Sequence, residues 1–126
     1  MAERRKRGRL SRSGDFDRVF RDGRSQANRY LVAYSFPRAQ PADGDSVRLG
    51  ISVSRKVGGA TERNAVKRAL REAFWALEPE LPANHDFVIV ARPDSAGLLE
   101  REGTAAVQAA LRELVVGASD PGQKAA

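Results

Sequence analysis

The sequence contains no cysteine and only one histidine, so several common kinds of site are missing from it. Without cysteine there is neither a disulfide nor a thiolate metal site, and one histidine cannot form a histidine-rich metal cluster. No apolar run approaches the ~18 residues of a membrane-spanning helix. The charged start, residues 1–7, lacks the apolar segment of a signal peptide. We therefore expect a cytoplasmic protein with no membrane partner.

The acidic residues are scattered, which argues against a metal-dependent active site in the protein. Two-metal hydrolysis of a phosphodiester needs several carboxylates that converge on ions about 4 Å apart. Asp15 and Asp17 lie two residues apart in a predicted helix and do not face each other. His85 has no nucleophile or carboxylate partner that the sequence fixes, so we expect a structural role for it. The sequence predicts no catalytic residue and no metal ligand.

Positive charge, in contrast, is abundant and unevenly distributed. Residues 1–75 hold 18 lysines and arginines against 8 acidic residues, whereas residues 76–126 hold 4 against 8. The net charge of +6 therefore combines +10 in the first part with −4 in the second. A basic first part of this kind predicts a surface for a polyanion such as RNA.

The most distinctive segment is a basic helix predicted over residues 62–77. At about 100° per residue, its apolar side chains form one stripe, which consists of Val66, Ala69, Leu70, Ala73 and Leu77. Its cations and an amide form an adjoining arc, which consists of Arg63, Asn64, Lys67, Arg68 and Arg71. Like charges four apart cost an isolated helix about 0.2–0.5 kcal/mol per pair, whereas a helix that faces phosphates benefits from them. The alternative is a solvated helix face, which usually mixes both signs of charge.

Several of the few aromatic residues are placed where they could bind nucleobases. Phe16 and Phe20 share one face of a short predicted helix, and Tyr30 and Tyr34 share one face of the next predicted strand. Aromatic side chains that stack on unpaired bases contribute about 1–3 kcal/mol per base. These residues predict a groove for a single strand between helix and sheet, with ordinary core packing as the alternative for Phe16 and Phe20.

The order of elements predicts an α+β fold. Helices are predicted between Ser13 and Gly23, over 62–77 and over 100–116, and strands over 29–36, 47–53 and 87–91. With two or more strands after the first helix, the order is α-β-β-β-α-β-α. A strand-helix-strand unit beside a hairpin predicts a single-domain α/β sandwich with helices packed on a mixed central sheet.

The chain ends are predicted to lie outside this domain. Residues 1–12 carry six cations, Arg9 and Arg12 among them, and predict a flexible basic arm that binds RNA, with a solubilising tail as the alternative. Residues 13–117 form the predicted RNA-binding domain, and residues 118–126 a disordered tail.

Together these segments resemble the bacterial ribonuclease P protein component. The central motif is a strand and glycine turn over residues 50–58, followed by the Arg-Asn-x-x-Lys-Arg helix over residues 60–68. The resemblance covers roughly residues 7–116 and includes Asp15-Phe16, Val19-Phe20, Tyr34 and the strand over residues 86–92. Ala65 departs from the pattern, since the family often has a third basic residue there.

The resemblance implies the small subunit of a ribozyme holoenzyme. In that enzyme the RNA subunit carries out the Mg²⁺-dependent hydrolysis that removes the 5′ leader of precursor tRNA. The expected partners are therefore the catalytic RNA and precursor tRNA, with Mg²⁺ held mainly by the RNA and no organic cofactor. The protein alone is expected to be monomeric and inactive. The implied fold is like that of ribosomal protein S5 domain 2, with a left-handed strand-helix-strand crossover that departs from the usual hand.

The resemblance also assigns roles to residues. The helix motif implies contacts with the catalytic RNA from Arg63, Asn64, Lys67, Arg68 and Arg71, together with the preceding basic pair Arg55 and Lys56. The aromatic cleft that takes the leader matches Phe16, Phe20 and Tyr34.

Two other functions remain open at this point. A ribosomal or assembly protein of similar charge would bind one folded RNA without depending on a leader. A self-sufficient metal-dependent nuclease would cleave RNA without an RNA subunit, and its activity would depend on an acidic pair.

Overall fold

The computed structural model describes residues 7–10, 13–38 and 47–116, which form a five-stranded mixed sheet and four α-helices. The strands are β1 (Arg7–Arg9), β2 (Arg24–Ala27), β3 (Leu31–Pro37), β4 (Val47–Val53) and β5 (His85–Ala91). The helices are α1 (Ser13–Asp22), α2 (Ala60–Ala76), α3 (Asp94–Glu102) and α4 (Thr104–Val115), with a short 3₁₀ turn, Glu78–Glu80, after α2.

The strand order across the sheet is β1-β4-β5-β3-β2. β4 runs parallel to both β1 and β5, while β3 runs antiparallel to both β5 and β2. α2 connects the parallel neighbours β4 and β5, so the predicted strand-helix-strand unit and the mixed sheet are confirmed. The continuous apolar run of β5 lies in the middle of the sheet, where both faces are covered.

Alternate residues of each strand face two layers of very different thickness. On one face, α2 and α4 pack on the sheet and α3 packs on both of them, and this main core includes Leu49, Phe74, Phe87 and Leu111. On the other face, α1 contacts β3 and β5 over a small cluster centred on Leu10, Val19 and Val88. The sheet is therefore deeply covered on one side and only partly covered on the other.

The structure corrects the predicted boundaries at two places. Arg7–Arg9, which the sequence assigned to the flexible arm, form β1, and the Leu10 N–H donates to the Leu49 carbonyl oxygen at 3.0 Å. The rest of the predicted arm and the tail lie outside the described residues. The predicted C-terminal helix over 100–116 is two helices, because Gly103 adopts a left-handed φ of 83° between α3 and α4.

Candidate nucleic-acid interface

The basic helix presents its cations away from the core, as its spacing predicts. Val66, Ala69, Leu70, Ala73 and Phe74 are the buried residues of α2, and Leu77, directly after the helix, is buried as well. Asn64, Arg68 and Arg71 are exposed, and Arg63 and Lys67 are half-buried. Arg68 Nε lies 3.2 Å from Glu72 Oε2, an exposed pair that contributes little to stability. Among the described residues, the ion pairs include neither Lys67 nor Arg71, so both can pair with phosphates.

The turn that leads into α2 carries two further cations. Arg55 and Lys56 are both exposed, while the adjacent Val57 is buried in the main core. The Val57 N–H donates to the Ser54 carbonyl oxygen at 3.1 Å, which closes the turn and leaves both basic side chains on the outside. Arg9 is exposed on β1, whereas Arg12 lies outside the described residues.

The three predicted cleft aromatics come together on the thinly covered face of the sheet. The Phe16 and Phe20 ring centroids lie 6.3 Å apart, and the Phe20 ring meets the Tyr34 ring edge-on at 4.8 Å. Phe20 is 41% exposed, and among the described residues it is the one large hydrophobic side chain that is exposed. Phe16 and Tyr34 are half-buried. Rings that are rigidly held yet accessible are suited to stacking with nucleobases.

Gly50 of β4 makes room for this arrangement. A Cβ atom at Gly50 would lie 2.7 Å from Cζ of Phe16 and 3.2 Å from Cβ of Leu10. Since real side chains do not approach so closely, any larger residue at this position displaces the Phe16 ring from the sheet.

The aromatic surface includes two side chains that the sequence did not single out and excludes one that it did. Phe36 packs against the same small cluster as Tyr34, and the Arg18 guanidinium lies 5.7 Å from the centre of its ring. Tyr30, which was expected in the groove, precedes β3 and packs against the main core, so that prediction was wrong. The alternation Tyr34–Phe36 along the strand was the available signal for Phe36.

A network of ion pairs joins α1 to β4 and β5. Asp86 of β5 is fully buried and accepts two hydrogen bonds from Arg48 of β4, at 2.8 Å from Nε and 2.7 Å from Nη2. Arg38 Nε lies 3.2 Å from Asp86 Oδ1, and Arg48 Nη1 lies 3.7 Å from Asp15 Oδ2 on α1. Asp15 also pairs with Arg18. The hydrogen bonds to Asp86 raise the pKa of Arg48.

The aromatic cleft and the basic helix meet at one groove of about 500 Å³. Phe16 lines it from α1, Arg9 from β1, and Lys67 and Arg71 from α2. The groove therefore brings together residues that the sequence assigned to the two different surfaces.

The described residues contain no group of three or more histidines, aspartates or glutamates that could hold a metal ion. Two carboxylates on the side of the sheet where α1 packs, Asp15 and Asp86, are engaged by arginines. No helix within the described ranges is both long enough and apolar enough to cross a membrane.

Comparison with known proteins identifies the family. A family model described as Ribonuclease P matches residues 5–115. The chain belongs to the ribonuclease P protein family. A ribonuclease P protein component of Exiguobacterium is 44% identical over 100 residues, which cover 79% of this chain and 83% of that protein. The Bacillus pumilus component is 36% identical over 117 residues, covering 93% of this chain and 96% of the relative.

Solved structures of ribonuclease P proteins have the same fold. The Thermotoga maritima protein is 34% identical, with a TM-score of 0.73, and the match covers 83% of this chain and 92% of that one. A Staphylococcus aureus ribonuclease P protein is 33% identical with a TM-score of 0.71, over 83% of this chain and 93% of the other. The sequence left open a ribosomal or assembly protein and a metal-dependent nuclease. Membership in the ribonuclease P family favours neither of these and identifies the chain as the protein subunit of this endoribonuclease.

Proposed function

We propose that the chain binds two RNA molecules at adjoining surfaces, the catalytic RNA of ribonuclease P along α2 and the 5′ leader of precursor tRNA in the aromatic cleft. The observation that carries this proposal is the combination of an outward basic arc on α2 with accessible rings on the partly covered face of the sheet. Phosphate contacts position an RNA, and stacked aromatics hold unpaired bases. The protein thereby promotes removal of the leader to give the mature 5′ end of tRNA.

The hydrolysis itself belongs to the RNA subunit in this proposal. Among the described residues no cluster of carboxylates fits a magnesium site, and Asp15 and Asp86 are held by arginines. Mg²⁺ prefers a set of oxygen ligands that includes free carboxylates or phosphates. We therefore assign the Mg²⁺ ions to the RNA, which supplies phosphate oxygens in abundance.

The proposal includes a monomeric protein in the cytoplasm. A stable dimer usually buries an apolar surface patch. Among the described residues the exposed large hydrophobic side chain is Phe20, and it already belongs to the cleft. Size-exclusion chromatography with light scattering tests this part, and a mass twice that of the chain would contradict it.

A cleavage assay tests the division of labour. Precursor tRNA with a 5′ leader is incubated at low Mg²⁺ with the protein alone, a bacterial ribonuclease P RNA alone, or both. Activity only in the mixture supports the proposal. Cleavage by the protein alone, after removal of contaminating nucleases, would restore the metal-nuclease alternative, and no effect of the protein in the mixture would restore the ribosomal-protein alternative.

The electrostatic part of the proposal has a test of its own. A protein that contacts about 6–10 phosphates loses roughly 10³–10⁵ in affinity between 50 and 200 mM salt. A catalytic-RNA affinity that hardly changes over this range would contradict a phosphate-binding role for α2.

A further inference from the structure

The groove between α1, the β1–β4 edge and α2 contains an aromatic residue that neither the cleft nor the basic arc accounts for. Its lining includes Arg9, Phe16, Gly50, Lys67, Arg71 and Trp75. Among the described residues that line this groove, the charged side chains are all cations, namely Arg9, Lys67 and Arg71.

The end of β1 creates the groove. β1 pairs with β4 over Val47–Leu49, and among the described residues this pairing does not continue beside Gly50 and Ile51. Gly50 contributes no side chain there, so the Phe16 ring approaches β4 from one face of the sheet. α2 borders the groove from the other face. The opening thus passes around the sheet edge, from the aromatic cleft to the basic helix.

Trp75 is in line with the two cations of α2 that border the groove. It follows Lys67 and Arg71 at intervals of four residues, and residues at this spacing lie on one side of a helix. Its ring meets the Phe74 ring edge-on at 4.9 Å and packs against the main core, so the indole is held in place. The half-buried ring still contributes to the groove lining.

We propose that this groove binds a single-stranded ribonucleotide segment, with a base stacked on Trp75 and its phosphates held by Arg9, Lys67 and Arg71. The inference rests on the proposed function, because it takes RNA to be the ligand of this side of the molecule. Either the leader or an unpaired segment of the catalytic RNA supplies the same chemistry, a base flanked by phosphates. A cationic groove that is lined by two aromatic side chains, Phe16 and Trp75, matches that chemistry.

Because Trp75 is the single tryptophan of the chain, its fluorescence reports directly on this groove. The full-length protein is titrated with a leader oligoribonucleotide, the catalytic RNA and mature tRNA, while anisotropy of labelled RNA measures binding independently. Saturable quenching that follows binding of the leader or the catalytic RNA supports the proposal and identifies the source. RNA binding without any change in Trp75 emission would overturn it and leave the proposed function intact, whereas absence of RNA binding would overturn both.

Two further arms separate stacking from charge. A ribose-phosphate oligomer that lacks bases should bind without quenching, and quenching equal to that by the RNA would contradict stacking. Trp75→Leu should weaken binding of the identified RNA by about 5- to 150-fold, the equivalent of one stacked base, while Trp75→Phe should restore much of the loss. Thermal unfolding checks that each variant folds. Unchanged affinity in a folded Trp75→Leu protein would overturn the proposal, and if this variant does not fold, the fluorescence of the unaltered protein decides.

Discussion

Both faces of the sheet carry aromatic residues, but these are buried on one face and partly exposed on the other. One face carries three helices and the main core, in which Phe74 and Phe87 meet at 5.3 Å and both are fully buried. The other face carries only α1, and there Phe20 remains 41% exposed. Burial of apolar area is the dominant favourable term in folding, so the covered face supplies most of the stability. The open face retains aromatic surface that is available to a ligand.

The sharpest way to break this comparison is to truncate one phenylalanine on each face. Phe74→Ala leaves a cavity in the main core and should lower the free energy of unfolding by about 3–5 kcal/mol. Phe20→Ala removes a ring that is already largely solvated and should change it by less than about 1 kcal/mol. Urea denaturation measures both, and equal losses in the two variants would contradict the division between the faces.

A second variant tests the ion pairs of the buried Asp86. Asp86→Asn removes the buried carboxylate that pairs with Arg48 and Arg38. It should cost about 3 kcal/mol of unfolding free energy, at the lower end of the usual range because Arg48 is partly exposed and also faces Asp15. Asp94→Asn is the matched control, since Asp94 forms an exposed pair with Arg29 at 2.8 Å and should hardly affect stability. Similar losses from the two substitutions would show that burial does not matter here.

Asp15→Asn should change leader affinity only slightly, but the direction of the change distinguishes two explanations. If the pairs of Asp15 with Arg48 and Arg18 fix α1 over the sheet, leader affinity should fall about two- to fivefold. Simple electrostatics predicts the opposite, because removal of a negative charge beside RNA strengthens binding. Asp17→Asn, on the exposed side of the same helix, provides the purely electrostatic control. Tighter leader binding by both variants would exclude a positioning role for Asp15.

The last stability prediction concerns pH and His85, which lies at the start of β5. Burial lowers the pKa of His85 below its ordinary value of 6.5, while a 2.8 Å hydrogen bond from Nδ1 to the Ala83 carbonyl oxygen partly offsets this shift. The unfolded chain therefore takes up a proton at higher pH than the folded chain. The contribution of His85 to the free energy of unfolding should be fully present above about pH 6.5 and fall below it, by no more than about 1.4 kcal/mol per pH unit. His85→Gln should flatten this dependence, and an unchanged slope in thermal melts would contradict the assignment.

Much of the fold was predictable because its main elements have strong periodicity. The apolar stripe of α2, the alternation in β4 and the apolar run of β5 each predict an element that the structure contains. β1 was missed because it is three residues long and is held by pairing with β4, which lies far away in sequence. The break at Gly103 left a local signal, since a glycine inside a helical pattern is a candidate helix end.

The interface was harder to predict because it depends on contacts between distant segments. Phe16 and Phe20 are a local helical pair, but their proximity to Tyr34 depends on where α1 packs on the sheet. Tyr30 was misplaced because β3 begins one residue later, at Leu31, so the alternation does not extend to it. Trp75 gave no signal of its own, since its place in the groove depends on the point where β1 ends.

One measurement on the reconstituted holoenzyme tests the central claim that the open face and α2 bind different RNAs. Affinities for leader-bearing precursor and mature tRNA are compared in Tyr34→Ala and Arg68→Ala, together with the affinity of each variant for the catalytic RNA. Tyr34→Ala should weaken binding of the leader-bearing substrate by about 1–3 kcal/mol and hardly affect mature tRNA, whereas Arg68→Ala should weaken assembly with the catalytic RNA. Two results would contradict the account. In one, each variant loses as much affinity for mature tRNA as for the leader-bearing precursor. In the other, both variants lose the same affinity for the catalytic RNA.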